Sequence, residues 1–153
     1  MAVNPNTTFT GGQVLTADNA NRFPRGVMGF VRKTNGNVTA TTTNTDIPGT
    51  SITFTAAANR IYVAHYSLFV QKQTAQGFII IRCTTGANVI YNTTVQTMGV
   101  NLYGNLSGTA IFDNLAAGTQ TIKLRSEAEN NTALIISNAN DVITLIVEDL
   151  GPA

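Results

Sequence analysis

The chain has 153 residues, a formal net charge of +1 and only 11% charged residues. That weak field excludes a phosphate-neutralising nucleic-acid surface and a polybasic membrane patch. The 43% hydrophobic content, with no block of like charge, excludes intrinsic disorder.

The polar remainder is unusual, with 24 Thr and 17 Asn. Thr is β-branched and favours pleated, half-buried surface, while Asn and Gly supply turns and left-handed positions. Strong helix formers are scarce. The composition therefore predicts an all-β chain, and its low charge fits a subunit that works assembled.

Residues 1–25 read as an arm and 26–153 as a β-sandwich domain. Val3 and Phe9 are isolated apolar anchors in an Asn/Thr/Gly-rich stretch. Thr16 can cap a single helical turn over residues 16–22, the only helix expected, and Pro24 stops it. Such an arm cannot bury much by itself and is expected to dock on a neighbour through Phe9, Val14, Leu15, Phe23 and Arg25. No basic-then-apolar leader opens the sequence, and apolar runs such as Phe78–Ile81 fall far short of the ~20 residues needed to span a membrane. Synthesis and folding in a reducing cytoplasm are expected from the lone Cys83, with no membrane insertion.

Strands and turns then alternate. Val27–Lys33 and Asn37–Thr43 flank Asn35-Gly36, which predicts a hairpin. Pro48-Gly49 predicts a turn. Ile52, Phe54 and Ala56 alternate with Ser51, Thr53 and Thr55, as in a half-buried strand. Arg60–Gln71 is apolar on both faces. One carries Tyr62, Ala64, Tyr66, Leu68 and Val70, and the other Ile61, Val63, His65, Ser67 and Phe69. A second cover is required, and Ile61, Val63, His65 and Phe69 are the candidate subunit interface.

Gly77–Thr84 and Val89–Gln96 flank another turn. Gly104 and Gly108 predict a bend or bulge in Val100–Phe112. Thr119–Ser126 has the cleanest alternation, and turns at Asn130-Asn131 and Asn138–Asp141 introduce the last strands. Nine or ten short strands favour an antiparallel β-sandwich or jelly roll.

Chemistry-bearing residues are sparse. Cys83 is a lone cysteine flanked by strand residues and reads as a buried structural thiol. His65 has no second histidine to form a metal or catalytic set with. Glu127 and Glu129, two apart, would share a strand face, whereas Glu148 and Asp149 would point oppositely. All four read as solvated charge. Asn138, Asn140 and Asp141 read as an Asx turn rather than a calcium loop. Asn-x-Ser/Thr triplets at Asn6, Asn37, Asn92, Asn105 and Asn130 are near chance frequency. The aromatics Tyr62, Tyr66, Phe69, Phe78, Tyr91 and Tyr103 read as core and interface. No metal, cofactor or acid/base pair is expected, and so no enzyme.

Two segments carry a resemblance. Gly12–Phe30, containing Val14-Leu15-Thr16-Ala17 and Pro24-Arg25-Gly26, resembles the opening of small tailed-bacteriophage virion proteins, many of them minor tail proteins. Thr119–Glu127 and Ile146–Pro152 are similar to that family's closing strands. Together they cover about a quarter of the chain, and none of these residues does chemistry. The resemblance implies a structural module of the virion with a β-sandwich body, assembled as a homotrimer with other virion proteins as partners. Tail-tip or fibre placement implies binding to a host surface glycan or other receptor. Capsid decoration, clamping neighbouring capsomers, is the alternative. A free carbohydrate-binding β-sandwich is a rival from another class.

Overall fold

The computed structural model describes residues 25–131 and 133–153. The expected helical turn at 16–22, and Phe9, Val14, Leu15 and Phe23, lie outside these residues. The strands are β1 (Gly26–Lys33), β2 (Val38–Ala40), β3 (Thr45–Ala56), β4 (Arg60–Lys72), β5 (Gly77–Thr85), β6 (Ile90–Met98), β7 (Tyr103–Phe112), β8 (Gly118–Ala128), β9 (Ala133–Ile136) and β10 (Ile143–Pro152). One 3-10 turn, Glu129–Asn131, precedes β9. It adds a helical turn that the sequence reading placed nowhere but in the arm.

All pairings are antiparallel. One sheet runs β1-β10-β4-β7, and the short β9-β2 pair continues beside the far end of β4. The second runs β3-β8-β5-β6. The chain changes sheet at most connections, which is jelly-roll topology.

Asn accounts for much of the turning. Asn59, Asn88, Asn101 and Asn130 all have positive φ, between 56° and 66°. Asn tolerates this left-handed region better than other side chains do. Period-2 alternation then builds the core. Ile52, Phe54 and Ala56 of β3, Ile79, Ile81 and Cys83 of β5, and Ile122 and Leu124 of β8 point inward. They meet Tyr62, Ala64, Tyr66, Leu68 and Val70 of β4 and Leu145 and Val147 of β10. Truncating one such large residue to Ala typically costs about 2–5 kcal/mol.

The structure corrects several local readings. Asn35-Gly36 does not close a hairpin. β1 pairs with β10 and β2 pairs with β9. Ser137 sits between them: its N–H donates to Asn37 Oδ1 and its hydroxyl to the carbonyls of Lys33 and Asn35. The longer ladder with β10 outcompetes the local one. Pro48-Gly49 does not end a strand but lies in a bulge of β3 between Asp46 and Ser51, where Thr50 Oγ1 donates to the Ile47 carbonyl. Gly104 and Gly108 do not bend β7, whose register with β4 is unbroken. Instead, they leave room for Gln96 and Tyr66, which pack where a Cβ would stand. At the opposite margin of the sandwich, Gly29 of β1 makes the same allowance for Ile52 of β3.

The acidic residues also differ from expectation. Asp149 is buried, not solvated. Its carboxylate accepts from Arg60 Nε at 2.7 and 3.0 Å and from the Gly151 N–H at 2.8 Å, at a bulge near the end of β10. Glu127 and Glu129 do not share a strand face. Glu127 is on β8, paired with Arg82, and Glu129 starts the 3-10 turn.

Candidate functional site

The two sheets present outer faces of different character. On the β1-β10-β4-β7 sheet, strand register aligns side chains in rows. One outer row is Phe30, Ile146, His65, Thr109, and the next is Val27, Glu148, Val63, Ile111. Phe30 is 55% exposed, Val27 60% and Ile111 59%. Farther along β4, Phe69 stands opposite Asn105 and Ile136. The four interface candidates Ile61, Val63, His65 and Phe69 all lie on this face of β4, Val63 buried among its neighbours and His65 exposed.

His65 and Glu148 stand amid these apolar side chains. His65 Nδ1 is 3.0 Å from Thr109 Oγ1, and His65 Nε2 is 3.9 Å from Glu148 Oε2. Hydroxyl, imidazole and carboxylate are thus in the sequence used by nucleophilic hydrolases. They stand on an open sheet face, however, and the imidazole–carboxylate distance exceeds a hydrogen bond. A cleft of about 630 Å³ lies elsewhere, lined by residues that include Gly77, Met98, Gly99, Glu129 and Asn130 and none of these three. The arrangement suits packing against another surface better than holding a substrate.

The outer face of the β3-β8-β5-β6 sheet is polar along β3 and β8, whereas at its β6 margin Ile80 stands opposite Val95, which is 56% exposed. Asp46 pairs with Lys123 at 2.8 Å and Arg125 at 2.9 Å, and Arg82 pairs with Glu127 at 2.7 Å. Thr53 and Thr121 hydroxyls meet at 2.9 Å. Exposed pairs of this kind contribute little stability, but they make the face hydrophilic.

The remaining candidates fall into structural roles. Cys83 is fully buried, and burial pushes its thiol pKa up to about 12, far from a nucleophile. Lys72 is buried, its Nζ donates to the Glu129 carbonyl, and burial lowers its pKa while the Glu129 charge partly opposes that. The Asn138 side-chain carbonyl oxygen accepts from the N–H groups of Asn140 and Asp141, closing the expected Asx turn. Among the aromatics, Tyr62 and Tyr66 are core, Tyr91 packs on Phe112, and Tyr103 is exposed. Arg25 is exposed and immediately precedes β1.

Sequence reasoning did not find Phe30, Ile111, Ile146 and Glu148 as companions of the β4 face. The alternation of each strand was visible, but only register brings them beside Val63 and His65.

No family model and no curated protein matches the sequence. Solved structures do match. A TNF of S. frugiperda, Eiger, aligns with a TM-score of 0.51 at 8% identity, covering 84% of this chain and 96% of that one. Murine APRIL aligns with a TM-score of 0.51 at 8% identity, covering 81% and 99%. The globular domain of zebrafish complement 1qA aligns with a TM-score of 0.48 at 12% identity, covering 80% and 94%. The chain is similar to the first two in fold, and at such identity the likeness concerns the fold alone.

Proposed function

We propose that this chain is a non-enzymatic structural subunit of a tailed-phage particle. It assembles as a homotrimer through the outer face of its β1-β10-β4-β7 sheet and displays the β3-β8-β5-β6 sheet. The observation that carries the assembly reading is the contrast between the two faces. Phe30, Val27 and Ile111 leave apolar area in water on one side, and burying it gains roughly 25 cal/mol per Å². The other side carries charge and hydroxyl groups over β3 and β8, with apolar exposure confined to its β6 margin at Val95.

The placement in a phage rests on the sequence resemblance. Two of its segments are neighbours in space, since Gly26, Val27, Gly29 and Phe30 pair with Asp149, Glu148, Val147 and Ile146. Trimeric stoichiometry follows the same resemblance, and a closed ring covers each chain's face without leaving an open end. In this reading residues 1–25 attach the trimer to another virion protein through Phe9, Val14, Leu15, Phe23 and Arg25. A tail-tip or fibre position is favoured by the minor-tail character of the resembling proteins.

Light scattering on the full chain tests the assembly. A mass of three chains is expected, and Ile111→Asp should reduce it to one chain that still unfolds cooperatively, with a melt no longer dependent on concentration. A wild-type monomer at tens of micromolar overturns the assembly reading. Peptide mass spectrometry of purified particles tests the placement, and absence of the chain overturns it.

A further inference from the structure

We propose that His65 and Glu148 form a pH-dependent lock at the assembly face, so that subunits hold together more tightly in mildly acid than in mildly alkaline solution. This rests on the assembly reading above. The two residues lie on adjacent strands, β4 and β10, 3.9 Å apart, amid Val63, Ile146 and Ile111. Their side chains are 49% and 37% exposed in the single chain, so both still have water to lose.

The groups around them are few. From β7 the facing residue is Thr109, whose hydroxyl meets His65 Nδ1 at 3.0 Å. From β10 it is Glu148 itself, with Ile146 opposite His65. β1 contributes Phe30 to the same row, and its Arg32 stands opposite Thr144, one row away in register with Ser67. Glu148 is thus the acidic group within ion-pair reach of the imidazole on this face, and Arg32 is the charge in the neighbouring row.

A buried carboxylate without a cation is costly, whereas a carboxylate beside an imidazolium is compensated. Covering the face therefore favours the protonated imidazole, and the assembled state binds a proton that the separate chain binds less tightly. The resulting stabilisation is present while the imidazole keeps its proton and is lost as rising pH removes it from the assembly. For Glu148 the linkage has the opposite sign. The charged carboxylate is favoured in the assembly, so stabilisation is lost again in solution acid enough to protonate it. Assembly is strongest between these limits.

The test is sedimentation velocity of the full chain at pH 5.5 and pH 8.0, with thermal melts confirming that each variant is folded. The midpoint concentration for assembly should rise about tenfold at pH 8.0. His65→Gln should remove the dependence. Glu148→Gln should reverse it, since an uncompensated imidazolium then opposes assembly at pH 5.5. A wild-type assembly indifferent to pH, or variants that keep the wild-type profile, overturns the lock and leaves the assembly face standing. A single-chain species at every pH overturns both.

Discussion

Tyr66 and Gly108 stand opposite one another in the β4–β7 ladder, and a Cβ on Gly108 would overlap the Tyr66 hydroxyl. The missing side chain lets the phenol cross β7 toward β6 in the other sheet. There the hydroxyl donates to Asn92 Oδ1 at 2.6 Å and meets Thr94 Oγ1 at 2.7 Å. Burial raises the pKa of this phenol, with the Thr94 hydrogen bond partly opposing that. Beside it, Tyr91 packs on Phe112 of β7 with ring centroids 4.3 Å apart. Side chains therefore close the gap between β6 and β7.

Gly108→Ala should push the phenol off this track and cost about 1–3 kcal/mol, the usual range for overpacking. Tyr66→Phe should cost about 1 kcal/mol for its lost hydrogen bonds. Urea unfolding of both single variants and the double variant measures the coupling. The double variant should be clearly less destabilised than the sum, because the added methyl group at position 108 has already displaced the hydroxyl. Simple additivity would contradict the crossing.

Removing the buried partner of Arg60 should be more damaging. Asp149→Ala takes an acceptor from Arg60 Nε and from the Gly151 N–H in a dry environment. The expected cost is about 3–5 kcal/mol. Thermal unfolding of the variant checks this, and a loss below about 1 kcal/mol would show that water takes over the contacts.

The Cys83 thiol gives a prediction in alkaline solution. Its pKa is raised to about 12 in the fold from an ordinary value of 9.0, so only the unfolded chain ionises between those limits. The unfolded state then binds fewer protons, and stability falls as pH rises. Between pH 8 and pH 10 the wild type should lose about 1 kcal/mol more than Cys83→Ala. Urea midpoints at the two pH values measure the difference. In the native state the thiol should resist alkylation at pH 8.

Much of this architecture is legible in the sequence, because alternation needs only one strand at a time. Ile122 and Leu124 inside, with Lys123 and Arg125 outside, follow from period 2 alone. Choice of partner is different. Asn35-Gly36 is a strong local turn signal, yet β1 pairs with a strand more than a hundred residues away. A ladder with β10 pairs seven residues of β1, from Gly26 to Lys33, whereas the three-residue β2 has only three to offer. Asp149 and Gly108 show the same limit. Each depends on what faces it across the ladder or the core, and neighbours in sequence carry no trace of that.

Deleting residues 1–23 should leave a folded domain, since every strand among the described residues lies at or beyond Gly26. The truncated chain should melt within a few degrees of the full one and should fail to join particles. Recovery with purified virions at wild-type levels would show that attachment lies in the β-domain itself.

The place of β10 has a consequence for how the domain is made. The last of these strands to be synthesised is an interior one, hydrogen-bonded to β1 on one side and β4 on the other. Until it emerges from the ribosome, β1 lacks its one sheet neighbour among the described residues, and the inward residues of β4 lack Leu145 and Val147. Long-range pairing of this kind also makes folding slow. A chain broken off before Ile143 would lack the whole strand, and with it the acidic and apolar side chains it lends to the face, Glu148 and Ile146. A chain cut short before β10 thus cannot present the face on which the proposed assembly rests.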